Sequence, residues 1–486
     1  MKRIVAALLM LLTAAPLCAQ IQLKAERATS REVEFLWTGA SGRECRLERK
    51  AGAGSWEPVA SSKEGKAKDA GIAAAATYNY RVSCGAQSSN DITVGPPPAG
   101  FHLIAPKPDK HANTAFGRLI SLALDANGDP AVAFVYVDPN GDGNSADSQL
   151  MFASWDRAAY RWKDPVTVAV VGNYDPRPPV VGVSLARDSD TNAYGVVWAD
   201  TDNHGINLAV SNDGGESWKT RKAFKDTRSM GGASLALGAG KAHLILAQDA
   251  KNTIRYATGA LEEDPGTWKV SYAPMLNGAN GVARGSALAL DGEGKPAVAY
   301  WLRPAAGSVW TLAFWRPGSD SAGKITDNGD GGYPPEGVVL AFAGNQPAVV
   351  IDCRLHKDQI SQHYSLFSKE QGGTWSQPLP IPDDGHEHIS GYMSFAIGPD
   401  GKAVLAGDVV GGNTQNMRCS WPKLSRTADF SSWTTCSPQG GLRPDARTLW
   451  GSVVFSPHGT LYMVFQNQQF SPQQALPAGL MIWGGK

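Results

Sequence analysis

The chain has 486 residues, more than one ordinary hydrophobic core accommodates, so several domains or one large repeat array is expected. Its 45 lysines and arginines balance 45 aspartates and glutamates, and no basic run stands out, which leaves a nucleic-acid or anionic-membrane partner without electrostatic support. Glycine is abundant (54 residues) and charge is sparse (19%), a balance that suits short strands and tight turns better than long surface helices.

Residues 1–19 join a charged start to an apolar run and a small-residue stretch, the pattern of a secretory signal peptide cut after Ala19. A short membrane anchor is the competing reading, and the run is brief for it. Lipidation of Cys18 is another, but Pro16-Leu17 departs from the small residue such signals place before the cysteine. No other stretch is long and apolar enough to span a bilayer, so a secreted or periplasmic protein is expected. Of six cysteines, five then remain in an oxidising compartment. Cys45 stands at the start of ECRLERK and Cys84 ends YNYRVSC; as antiparallel neighbours these strands would bring the two sulfurs together. Cys419 and Cys436 are placed likewise in MRCSW and SSWTTC, on either side of one turn. Cys353, in AVVIDCR, reads as a buried thiol.

Residues 21–95 carry short β-rich segments, VEFLW, ECRLERK, SWEPVA, TYNYRVSC and DITV, between Gly/Ser/Ala turns. Trp37 and the run Tyr78-x-Tyr80-Arg-Val resemble a fibronectin type III domain, which implies a small β-sandwich. Residues 96–100 follow as a stiff, proline-rich linker.

From residue 101 to 486 the chain repeats itself. Seven segments share an apolar strand, a Gly-rich turn and a second apolar strand, beginning at Arg118, Val181, Gly231, Arg284, Glu336, Ser390 and Trp450, about 50 to 63 residues apart. Two further strand-like pieces lie between copies, for example INLAVS and WKTRKAF. Four antiparallel strands per unit at this period describe a β-propeller, here seven-bladed, whose closed ring removes exposed sheet edges. The last unit stops after its third strand, LMIWGG, and FHLIAP at 101–106 is the candidate for the missing outer strand. The lack of helix-period segments excludes a parallel-sheet enzyme. The fold class expected is therefore all-β, a propeller preceded by a small sandwich.

Ser211-x-Asp213-x-Gly215-x-x-Trp218 resembles the Asp-box (BNR repeat) of sialidase-like propellers. Ser368, Gly372 and Trp375 form a second copy with Glu370 in the aspartate position. Weaker remnants are Asp264, Gly266 and Trp268, and Ser425, Asp429 and Trp433. The box reads as structural: serine and aspartate bond nearby backbone amides, glycine permits positive φ, and tryptophan packs between blades. The resemblance implies that these turns lie on the face opposite the ligand site.

On that other face several second strands end in aspartate, namely Asp138, Asp200, Asp249, Asp352 and Asp408, with Arg303 and Asn467 in the corresponding places of two more. Arg118, Arg177, Arg228, Arg284 and Arg447 sit before several first strands. A ring of acids and bases follows. It either pairs internally or binds a polar or acidic ligand through arginine forks. The sialidase resemblance implies three arginines on a substrate carboxylate, a Tyr–Glu nucleophile pair and an aspartate acid/base. Their first arginine belongs to a Phe-Arg-Ile-Pro motif, whereas this chain has Phe116-Gly-Arg118-Leu-Ile. Sialidases also have six blades against seven units here, so no sialidase nucleophile is carried over and the catalytic residues stay unknown.

Asp138, Asn140, Asp142 and Gly143 have the spacing of a calcium loop, but Gln149 replaces the closing glutamate and a solvated turn is the better reading. His386 and His388 lack further ligands, so no metal and no cofactor are expected. His204, His356, Tyr333 and Tyr392 leave room for a lyase-type site. Two functions follow: a monomeric recognition module for an extracellular glycan or protein, or a carbohydrate-active enzyme on the same face. The enzyme would be an exo-sialidase-like glycoside hydrolase or a polysaccharide lyase.

Overall fold

The computed structural model describes residues 20–106, 115–137, 147–172, 182–200, 205–224, 233–246, 253–275, 282–303, 309–328, 337–352, 364–369, 373–381, 389–411, 418–427, 433–436, 447–468 and 479–485. Residues 1–19, where a signal peptide is expected, lie outside them. Contacts divide the chain into one unit of Met1–Pro96 with Asp156–Tyr160 and a second of Pro97–Trp155 with Arg161–Lys486.

The first unit is a pair of antiparallel sheets around one core. Gln22–Ala28, Val33–Thr38 and Lys66–Asp69 form one sheet; Glu57–Ser62, Cys45–Ala51, Tyr78–Cys84, Gln87–Ser88 and Ile92–Val94 form the other. Alternation sets the inward faces, with Val33, Phe35 and Trp37 from one sheet meeting Leu47, Tyr80 and Val82 from the other. Arg46 pairs with Ser83 across the central strands, so Cys45 and Cys84 close the same corner and form a disulfide. Asp69, buried in this core, is satisfied by the Tyr80 hydroxyl at 3.0 Å, Arg49 at 2.9 Å and the Gly71 amide at 2.8 Å. Those three donors make a buried carboxylate tolerable.

Among the described residues the second unit contains seven antiparallel sheets. Their first strands are Ala115–Leu124, Ser184–Arg187, Ala233–Gly238, Val282–Leu290, Gly337–Ala343, Ile389–Ile397 and Arg447–Phe455. Each first strand lies against the next, and the seventh lies against the first, which closes a ring. The seventh sheet runs Arg447–Phe455, Leu461–Gln468, Gly479–Gly485 and then Gly100–Pro106, so a segment from the start of the unit supplies the last outer strand. In the first sheet the outer edge is split into Arg161–Trp162 and Val166–Gly172, both pairing with Ser148–Asp156.

Packing between sheets explains the continuous apolar second strands. In Pro296–Arg303, Val298, Tyr300 and Leu302 pack with residues of the third sheet, while Ala297, Ala299 and Trp301 pack with the fifth. A strand buried on both faces has no use for polar alternation. Serines stitch the innermost strands together: the Leu185 amide donates to Ser121 Oγ (2.9 Å), Leu235 to Ser184 Oγ (3.0 Å) and Val453 to Ser394 Oγ (3.0 Å). In each case a hydroxyl of one sheet satisfies an amide of the next, away from either sheet's own ladder.

Candidate functional site

The two ends of the ring differ in chemistry, and strand register defines them. In the second sheet Asp200 pairs with Gly205, while Tyr194 pairs with Ser211. The second-to-third-strand loop therefore leaves from the Asp200 end, and the Asp-box turn occupies the opposite end.

The Asp-box end is closed on itself. Ser211 Oγ donates to Asp213 Oδ1 (2.8 Å) and accepts from the Gly215 amide (2.8 Å). Asp213 also accepts the Glu216 and Ser217 amides at 3.0 and 2.9 Å and the Ser217 hydroxyl at 2.5 Å. The Ser217 hydroxyl, its amide and the Ser211 hydroxyl hold the Asp213 carboxyl down to about 2. Gly215 adopts φ 94°, and a Cβ there would strike the Phe152 ring. Trp218 donates to the Gly215 carbonyl (3.1 Å) and meets Phe152 of the first sheet edge-on at 5.1 Å. Trp375 repeats the contact on Phe314 of the fourth sheet at 5.3 Å. Trp433 reaches the preceding sheet as well, packing with Ala348, Val350 and Leu366. Asp264 caps a single turn, Pro265–Thr267, by accepting the Gly266 amide at 2.8 Å. The first-to-second-strand turns share this end and close similarly. Asp125 accepts the Asn127 and Asp129 amides, Asp291 accepts the Glu293 and Lys295 amides, and Asp188 reaches the Gly240 amide of the neighbouring sheet at 2.6 Å. These carboxylates are committed to shaping their turns.

At the other end the backbone collects the charged residues. Register pairs Val282 with Arg303, Gly337 with Asp352, and Arg447 with Gln468, and Asp200 ends its strand. Asp352 and Arg303 also end their strands, whereas Asp408 lies three residues inside Ala403–Gly411, skipped by the register where Gly407 gives way to Val409. Arg118, Arg284 and Arg447 lie within their first strands and not before them. Register breaks flank Arg118 and follow Arg284, and similar breaks separate Ile389 from Met393 and Leu449 from Ser452. Bulges at one level of the inner strands re-aim side chains and are a common device beside binding sites. Of these residues only Arg303 has a described side chain. Asp138, Arg177, Arg228 and Asp249 lie outside the described residues, as do Cys353, Glu370, Gly372, Asp429, Asn140, Asp142, Gly143, His204, His356, His386, His388 and Tyr333.

Arg303 places its guanidinium 5.1 Å from the centre of the Trp310 ring, a cation–π contact between the end of the second strand and the start of the third. The Trp310 amide donates to Asn328 Oδ1 at 2.8 Å, and the Asn328 amide returns a bond to the Trp310 carbonyl. Asn328 Nδ2, Trp301 Nε1 and Ser286 Oγ in the same sheet are buried without hydrogen-bond partners, as is Gln466 Oε1 in the seventh sheet. Unpaired buried atoms occur at the Asp-box end as well, at Trp268 Nε1, Trp433 Nε1 and Asn345 Oδ1, so they do not distinguish the two ends. Sequence reading singled out Arg303 but missed Trp301, Trp310, Asn328 and Ser286. A tryptophan in a buried strand reads as core, and the signal available was only their place at strand ends.

Among the described residues no group of three or more His, Cys, Asp or Glu side chains is placed to hold a metal. Gln149, where a calcium loop would close, accepts the Thr167 hydroxyl at 3.1 Å. Cys436 pairs by register with Leu424 and Cys419 with Val410; their side chains lie outside the description. No helix of the described residues is long and apolar enough to cross a membrane.

No family profile and no curated protein sequence matches the chain. Among solved structures it is similar to a sialidase of Streptococcus pneumoniae, with 10% identity over 96% of this chain and 92% of that one and a TM-score of 0.40. It is also similar to the phage phi92 endosialidase (13% identity, 82% and 71% covered, TM-score 0.42). A third similar structure is the α-L-arabinofuranosidase Arb93A of Fusarium graminearum (12% identity, 65% and 93% covered, TM-score 0.38). The assignment as a propeller rests on the closed ring of sheets itself.

Proposed function

We propose that the mature chain is an exported, sialidase-like seven-bladed propeller with a fibronectin type III-like sandwich over residues 21–95. Its task is recognition of an extracellular glycan through the end of the ring opposite the Asp-boxes. One contrast supports this reading. The second sheet's Asp-box turn uses its serine and aspartate internally, while register brings Arg284, Arg303, Arg447, Asp200 and Asp352 to the other end, with Arg303 against the Trp310 ring. Arginine forks suit a ligand dense in oxygen acceptors, as saccharides are.

The test is a panel of acidic and neutral polysaccharides presented to the purified protein, with binding and product release both recorded. Binding without turnover, lost in Arg303→Ala, is the expected result. Product release abolished by Asp200→Asn or Asp352→Asn would move the assignment to a carbohydrate-active enzyme at the same place.

A further inference from the structure

The outward faces of the two sandwich sheets carry charge differently. On the three-stranded sheet the ionic groups cancel locally: Lys24 with Glu26, Lys66 with Glu64, and Lys68 with Glu32 and Glu34. On the five-stranded sheet Arg46, Glu48 and Lys50 alternate outward from Cys45–Ala51, and register sets Arg81 beside Glu48. Three cations thus face one carboxylate. Glu48 is engaged by Arg81 Nε at 2.7 Å and the Ser83 hydroxyl at 2.9 Å, which holds its carboxyl below the usual range despite partial burial. Among the described residues Arg46 and Lys50 make no direct ion pair, although Arg46 adds its charge to the pull on Glu48. At the edge of this face the Trp56 ring lies under both Arg81 (4.4 Å to the ring centre) and Lys50 (4.8 Å). Two cations held over one indole lose less side-chain freedom on binding an anion than free lysine or arginine does. Arg46 and Lys50, four residues apart on one strand, are spaced about 13 Å, so the positive strip is extended. Around it lie Asn79, Ser83, Ser61 and Thr93, flat and polar, without the apolar centre that a protein partner needs.

We infer that this sheet face binds an anionic polysaccharide, with Arg46 and Lys50 on its carboxylate or sulfate groups and Trp56 holding Lys50 in place. The inference does not depend on any ligand at the loop end of the propeller.

Full-length protein is titrated with polygalacturonate and chondroitin sulfate, with dextran as the neutral control, at low and raised salt. The expected result is polyanion binding that weakens with salt and falls at least tenfold in Arg46→Ala/Lys50→Ala. Trp56→Ala weakens it less, and Lys24→Ala/Lys66→Ala, which removes equal charge from the other sheet, leaves it unchanged. Equal loss in both paired variants, or no polyanion binding, overturns the inference. Loss in Arg303→Ala alone assigns the binding to the propeller and also overturns it, whereas failure of Arg303→Ala to change anything bears on the loop end only. Equal binding to vesicles rich in anionic lipid would replace the polysaccharide by a membrane surface. Melting temperatures within about 2 °C of the parent confirm that the exposed substitutions leave the fold intact.

Discussion

At Asp213 one carboxylate organises an entire turn, accepting two amides and two hydroxyls. Replacing it by alanine strands those donors and is expected to cost about 1–2 kcal/mol, read as a fall in unfolding free energy. Its depressed value also has a pH signature. The carboxyl is held near 2 in the folded chain against about 3.8 when free, so its contribution is present above about pH 4 and fades as pH falls towards 2. His243 acts in a higher window. Burial, helped by Lys241, lowers its imidazole to about 4, and it is hydrogen-bonded to the Tyr256 hydroxyl at 2.7 Å. The unfolded chain takes up that proton first, so stability declines as pH falls from about 6.5 to 4, by an amount on the order of 2–3 kcal/mol. Denaturation series across pH should show both steps, with His243→Gln flattening only the upper one and Asp213→Asn only the lower. A profile of His243→Gln that still declines between pH 6.5 and 4 would refute the assignment.

Strands and turns show why some features are written locally and others are not. Gly215 is legible because its positive φ and its neighbours Ser211, Asp213 and Trp218 lie within eight residues; Gly215→Ala should destabilise by more than about 2 kcal/mol, since the new methyl meets Phe152. The outer strand Gly100–Pro106 was also legible, to within one residue, because the last repeat lacks its fourth piece and the six-residue FHLIAP at 101–106 stands spare near the start. The serine stitches are not legible: Ser184 and Leu235 are separated by 51 residues, and a serine in an apolar strand has no local sign of its partner. Ser184→Ala should cost about 1 kcal/mol, measured by equilibrium unfolding, because it leaves the Leu235 amide unpaired. The arginines were located in sequence but placed just ahead of their strands. Register breaks let the chain enter each strand earlier than alternation suggests, and a bulge has no fixed residue signature.

Across the propeller, closure and function make separate demands. The ring holds because Gly479–Gly485 is covered by Gly100–Pro106, with Phe101 and Leu103 joining the core of the last sheet. Deleting residues 100–106 should turn Gly479–Gly485 into an open edge, and hydrogen exchange of its amides should rise at least tenfold. Unchanged protection there would mean that the ring does not depend on this strand. The proposed binding end was legible only as a direction, opposite the Asp-box turns, because the convergence of loop residues is set by long-range geometry. The account is tested most directly by measuring melting temperature and polysaccharide affinity together for Asp213→Ala and Arg303→Ala, each made in the Arg46→Ala/Lys50→Ala background that silences the sandwich face. It predicts that Asp213→Ala melts lower with its affinity intact, and that Arg303→Ala keeps its melting temperature and loses affinity at least tenfold. A folded Asp213→Ala that no longer binds, or an Arg303→Ala that binds as before, would contradict it.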